Sequence, residues 1–100
     1  MGPKGPPFTC LCRFDTLTGE LDYYYAGPDS APEEPLFVPK SADAAEGDGW
    51  LISVVGRRAL NCTDIVILDA RSLSRGPVAT IRLPCRIHEG FHGAWIPASA

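Results

Sequence analysis

Trp50-Leu51-Ile52-Ser53-Val54-Val55 and, across the polar link Arg57-Arg58-Ala59-Leu60-Asn61, Ile65-Val66-Ile67-Leu68-Asp69 decide the fold class of this 100-residue chain. Both runs are dense in β-branched side chains and bounded by turn formers, and neither carries a 3.6-residue apolar period through three turns. They read as consecutive antiparallel strands of one sheet. Outward from them, the link Arg71 to Pro77 leads to a strand at Val78–Leu83. On the other side, the acidic, Ala-rich stretch from Lys40 to Gly49 reads as an exposed loop after a strand at Pro35–Val38. Phe8–Phe14 and Leu21–Tyr25 form a hairpin across the turn sequence Asp15-Thr16-Leu17-Thr18-Gly19. Phe91–Ile96 supplies a seventh strand, and the chain is expected to be all-β.

Two strand starts resemble each other. Glu33-Glu34-Pro35-Leu36-Phe37-Val38 and Gly90-Phe91-His92-Gly93-Ala94-Trp95 each place polar residues ahead of large apolar ones. Three strands lie between them, so the interval equals one four-stranded unit. Radial repetition of such units builds a β-propeller, in which the first strand of every blade lines the axis. That geometry would turn Glu34 and His92 toward a central channel.

The bulk numbers limit the partners. The chain is 45% apolar with a net charge of −3, and no basic run exceeds Arg57-Arg58. Nucleic acid is therefore not expected as a partner. No apolar stretch approaches the roughly 20 residues that span a bilayer, and the start Met1-Gly2-Pro3-Lys4-Gly5-Pro6-Pro7 lacks the apolar core of a signal peptide. A cytoplasmic location is expected, with residues 1–7 a flexible Pro/Gly-rich lead. Pro6 stands where a myristoylation signal needs Ser or Thr. Asn61-Cys62-Thr63 matches the glycosylation pattern but reads as an accidental match in a turn.

His92 sits between glycines that allow close backbone approach, with Phe91 and Trp95 around it, a setting suited to a buried metal ligand. A histidine satisfied by a carbonyl is the plainer alternative. Cys10, Cys12, Cys62 and Cys85 are expected as free, buried thiols. Cys10-x-Cys12 with His88 and His92 would supply four zinc donors, but the glycines oppose a helix presenting both histidines, and the cysteine spacing is not a zinc knuckle. Cys10 and Cys12 would share one strand face with Phe8 and Phe14 and pack in the core. Tyr23-Tyr24-Tyr25 reads as an alternating edge strand and not as a binding face.

The blocks Glu34-Pro35-Leu36-Phe37-Val38-Pro39, Asp48-Gly49-Trp50-Leu51-Ile52-Ser53-Val54-Val55, Ile65-Val66-Ile67-Leu68-Asp69-Ala70 and Gly90-Phe91-His92-Gly93 occur in this order. Together they resemble the C-terminal end of the carotenoid cleavage oxygenases, which include carotenoid and stilbene cleavage dioxygenases. The resemblance runs from about Leu11 onward. It implies that residues 8–100 form about one and a half blades of a seven-bladed propeller. It further implies a non-haem Fe(II) held on the axis by four histidines, of which His92 matches the last. Glu34 matches one of the glutamates that hydrogen-bond iron-bound imidazoles, with Glu33 the competing candidate. Phe91 and Trp95 would line an apolar substrate tunnel or pack between blades.

The implied chemistry inserts dioxygen across a conjugated carbon–carbon double bond of a polyene or stilbene, giving two carbonyl products. His88 falls where the motif carries no ligand. One imidazole cannot hold Fe(II), because affinity comes from several ligands fixed together. This chain alone is therefore expected to be inactive. A part-propeller leaves sheet faces uncovered, which favours self-association. A small non-catalytic β domain acting by association is the alternative reading, and the zinc site is a remoter one.

Overall fold

A computed structural model of the chain describes residues 9–87 and 93–98. Their strands are β1 (Cys10–Phe14), β2 (Leu21–Tyr25), β3 (Ser30–Pro32), β4 (Leu36–Pro39), β5 (Gly49–Arg57), β6 (Cys62–Asp69) and β7 (Ala79–Leu83), with a short 3-10 helix at Leu73–Arg75. β1 and β2 form a two-stranded sheet, and the other five strands form a second sheet, all antiparallel.

The central strands are the two that open the sequence reading, and both are longer than expected. Arg57 extends β5 and Cys62 extends β6, because the ladder continues to the pair Arg57 and Cys62. β3 and β4 both pair with β5, on the edge away from β6. They are two halves of one edge strand, so the sheet is a four-stranded blade with its first strand broken. β3 escapes sequence reading because Ser30-Ala31-Pro32 has little strand propensity; an edge position tolerates the proline and β5 supplies the pairing.

The hairpin forms as expected. Asp15 accepts from the backbone N–H groups of Leu17 (2.8 Å) and Thr18 (3.2 Å). Gly19, at φ 77°, donates to the Asp15 carbonyl at 2.7 Å. The turn needs a left-handed residue there, which glycine supplies without a Cβ clash. Lys40 to Asp48 is a loop of tight turns, as expected, but Gly49 already belongs to β5, paired with Pro39. Lys40 Nζ holds its end, 3.5 Å from Asp69 and 4.6 Å from the Trp50 ring centroid.

The core lies between the hairpin and one face of the blade. Leu11, Ala26, Val55, Val66, Leu68 and Leu73 form it, with Tyr24 and Leu51 packed against them. Asp22 fixes the hairpin to the blade by accepting from the N–H groups of Leu73 (2.7 Å) and Ser74 (3.2 Å). Partial burial pushes its carboxyl up, but these backbone bonds outweigh that and hold it below the usual value.

A charged cluster lies by the β5–β6 turn of the blade. Asp64 is 1% exposed. It accepts from Arg57 Nε at 2.9 Å and from Arg82 Nε and Nη2 at 2.9 and 3.0 Å. Arg57 also donates to the Ala26 carbonyl and, at 3.1 Å, to Ser30 Oγ. Led by the Arg82 hydrogen bonds, these contacts lower the Asp64 carboxyl to about 2.

Three expectations need correction. Cys10 and Cys12 are exposed, as is Cys85, and only Cys62 is buried. Leu11 takes the core side of β1, and strand alternation turns Cys10, Cys12 and Phe14 outward, where they pair with Tyr25, Tyr23 and Leu21. Second, the strand expected at Phe91–Ile96 is irregular over Gly93–Ile96, which pairs with no strand among the described residues. A strand without a ladder partner leaves its backbone groups to water. Third, the outer hairpin face is not core: Phe14 and Leu21 are each 62% exposed. Among the described residues no helix is long and apolar enough to cross a membrane.

Two outcomes follow for stability and reactivity. Asp64→Ala removes the shared partner of Arg57 and of the half-exposed Arg82 and is expected to cost about 2 kcal/mol in urea unfolding. With the carboxyl at about 2 when folded against 3.8 as its ordinary value, the Asp64 contribution is complete above 3.8 and is lost as the pH falls through 2; on the order of 2 kcal/mol should disappear from the unfolding free energy over that window. In this chain by itself and kept monomeric, a soluble maleimide should label Cys10, Cys12 and Cys85 and reach Cys62 only after unfolding.

Candidate functional site

The break in the first strand of the blade is where the sequence-predicted acidic residue lies. Pro32 pairs with Val55, and the next pair is Leu36 with Ile52. Glu33, Glu34 and Pro35 therefore oppose only Val54 and Ser53, so the edge strand carries one extra residue. This is a β-bulge, a device that bends a strand and re-aims side chains. Pro35 suits it, since proline brings no N–H that a ladder would have to satisfy.

Two hydrogen bonds at Glu33 help to secure the bulge. The Glu33 N–H donates to the Val54 carbonyl at 2.8 Å. The Ser53 hydroxyl donates to the Glu33 carbonyl, also at 2.8 Å. Ser53 is 1% exposed, on the same face of β5 as the core residues Leu51 and Val55. Glu34, at the middle of the bulge, is exposed.

The sequence-predicted residues are only partly within view. His92 and Phe91, like His88, lie outside the described residues. Trp95 is described, 53% exposed in the irregular segment after Gly93. That segment returns to the broken strand: a Cβ placed on Gly93 would meet Leu36 Cδ1 at 3.4 Å. Gly93 follows His92 directly, and Leu36 stands two residues after Glu34. The fold thus lays the backbone next to the histidine beside the strand next to the glutamate. Ile87 anchors the same segment further back, its N–H donating to Thr63 Oγ1 at 3.0 Å.

Among the described residues no three His, Cys, Asp or Glu side chains gather as a metal site. A carboxylate on the bulge fits the part of a hydrogen-bond acceptor for an imidazole N–H, which fixes the ring's tautomer and direction. It does not fit a carboxylate-rich metal cage. Sequence reading missed Ser53. Its signal was there, as the single hydroxyl in the apolar run Trp50–Val55.

The chain matches the model of the family described as Retinal pigment epithelial membrane protein (RPE65) over residues 1–97. It is 51% identical to isoeugenol monooxygenase of Pseudomonas nitroreducens, covering 90% of this chain and 19% of that protein. Its fold superposes on a crystal structure of Pseudomonas brassicacearum lignostilbene dioxygenase with a TM-score of 0.87 at 36% identity, covering 91% of this chain and 19% of that one. Cobalt-substituted apocarotenoid oxygenase of Synechocystis gives 0.85 at 31% identity over the same shares. The chain thus spans about a fifth of the length of the relatives it matches. The broken first strand, the four-stranded blade behind it and these matches agree: this chain is part of a β-propeller and belongs to the Retinal pigment epithelial membrane protein family of carotenoid cleavage oxygenases.

Proposed function

We propose that this chain is the C-terminal part of an Fe(II)-dependent dioxygenase that cleaves a conjugated carbon–carbon double bond. The observation that carries the reading is the 51% identity to isoeugenol monooxygenase across 90 residues. By the same kind of alignment, identity is 45% to a lignostilbene dioxygenase of Sphingomonas paucimobilis and 32% to the apocarotenoid oxygenase of Synechocystis. That order favours an aryl alkene, of the phenylpropene or stilbene kind, over a long polyene.

In the complete enzyme His92 is one of the iron ligands, and Glu34 accepts a hydrogen bond from an iron-bound imidazole. Bound iron supplies the site at which dioxygen is activated toward the double bond. Phe91 and Trp95 present apolar surface to the substrate and keep water from it. The chain has two histidines in all, too few to hold the metal by itself. Residues 8–100 act as one propeller segment preceded by the Pro/Gly-rich lead, in an enzyme that works in the cytoplasm.

A second reading, association without catalysis, has its own observation. Cys10, Cys12, Phe14, Leu21, Tyr23 and Tyr25 make one continuous outward face of the hairpin, with Tyr23 and Tyr25 54% and 53% exposed. A face of this kind is covered in a finished protein or drives self-association. In the dioxygenase reading the neighbouring part of the propeller covers it.

The test is made on the full-length protein that contains this segment, loaded with iron and given isoeugenol or a hydroxystilbene under labelled dioxygen. An aromatic aldehyde carrying the label is expected, and His92→Ala should abolish both the product and stoichiometric iron. Failure to cleave either substrate or an apocarotenoid would sink the assignment. The chain alone should take up no dioxygen and bind iron well below one per molecule. It should sediment as oligomers that Phe14→Lys with Tyr23→Lys shifts toward monomer; a metal-free monomer that unfolds cooperatively would instead support an independent domain.

A further inference from the structure

Ser53 occupies a position where the surrounding strand calls for an apolar side chain. Its neighbours on the same face of β5 are Leu51 and Val55, and Val55 is fully buried. A hydroxyl there loses its water and must find a partner or cost about 1–3 kcal/mol. The partner it finds is the carbonyl of Glu33, 20 residues earlier, at 2.8 Å. That carbonyl belongs to the peptide unit that joins Glu33 to Glu34. Its orientation sets where the Glu34 backbone starts and thus where the carboxylate can reach. The Glu33 N–H to Val54 carbonyl bond lies one peptide unit earlier, so it holds the Pro32–Glu33 peptide, whereas Ser53 acts on the Glu33–Glu34 peptide itself.

We infer that Ser53 is a positioning residue, which acts on the metal centre through Glu34 by pinning the Glu33–Glu34 peptide of the bulge. The inference rests on the reading of Glu34 as a partner of an iron-bound imidazole. An extra residue in an edge strand can relax into several arrangements, and a short side-chain bond from the adjacent central strand selects one of them. Deleting the hydroxyl leaves the strand and its core contacts in place but removes the hydrogen bond that Ser53 makes to this peptide. The loss should appear at the metal, since hydrogen-bond partners of ligands typically account for about 10- to 100-fold in affinity.

The experiment uses the full-length enzyme in its Fe(II) and Co(II) forms, with variants Glu34→Gln, Ser53→Ala, Ser53→Thr and the double variant Glu34→Gln with Ser53→Ala. The readouts are the metal dissociation constant and the visible absorption of the Co(II) form. Ser53→Ala is expected to weaken metal binding about ten-fold and move the Co(II) bands in the direction that Glu34→Gln moves them. Ser53→Thr, which keeps the hydroxyl, should restore both. In the double variant the effect of Ser53→Ala should vanish, because a residue acting through Glu34 has nothing left to position. A change with Glu34→Gln but none with Ser53→Ala overturns the role of Ser53 alone, as does an undiminished Ser53 effect in the double variant. If Glu34→Gln itself changes neither readout, the reading of Glu34 fails and the inference falls with it. Should Ser53→Ala not fold, Ser53→Cys, of similar size and a weaker donor, is measured against the same outcomes.

Discussion

The buried carboxylate of Asp64 is the interaction on which the rest of the fold depends. It lies on β6, its two guanidinium partners lie on β5 and β7, and Arg57 continues to the Ala26 carbonyl and Ser30 at the start of the broken edge strand. One side chain thereby ties every strand order decision in the blade to the chain leaving the hairpin. Such clusters add little net stability over apolar packing, because desolvation cancels much of the attraction. Their value here is in specificity: any other register of β5, β6 and β7 would leave a buried charge without its partner.

Held in that register, β5 becomes the template for the broken edge strand that carries Glu34. Its outer edge pairs with β3 and β4 and imposes the mismatch of one residue between them. The bulge is therefore a property of two strands together, with Pro35 permitting it from one side and Ser53 stabilising it from the other. The segment after His92 returns to this same edge at Leu36. Gly93 and Leu36, far apart in sequence, come together across the blade that lies between them in the chain.

The faces of the molecule divide by what covers them. The inner hairpin face, one blade face and Leu73 of the 3-10 helix cover one another and hold the fully buried apolar side chains of the described residues. The opposite blade face, with Trp50, Ile52, Val54, Ile65 and Ile67, is half-buried, and the outer hairpin face is open. Apolar surface on both sides of a thin layer is what a propeller segment needs, since each blade packs between two others. It also explains why Cys10 and Cys12, expected in a core, are exposed.

Much of the fold was legible from residues alone. The β-branched runs dictated strands, because few other backbones accommodate such side chains at that density, and Asp15 to Gly19 dictated the hairpin through local turn chemistry. The four ordered blocks pointed to the family. What the sequence could not carry were the relations that depend on pairing across space: the bulge, the strand at Ser30–Pro32, the outward face of Cys10 and Cys12, and the partner of Ser53. Local propensity acts between neighbours in the chain, and it fixed where strands form. Which face each strand buries, and where one residue too many must bulge, was decided only when β5 offered its edge and its core to residues twenty or more positions away.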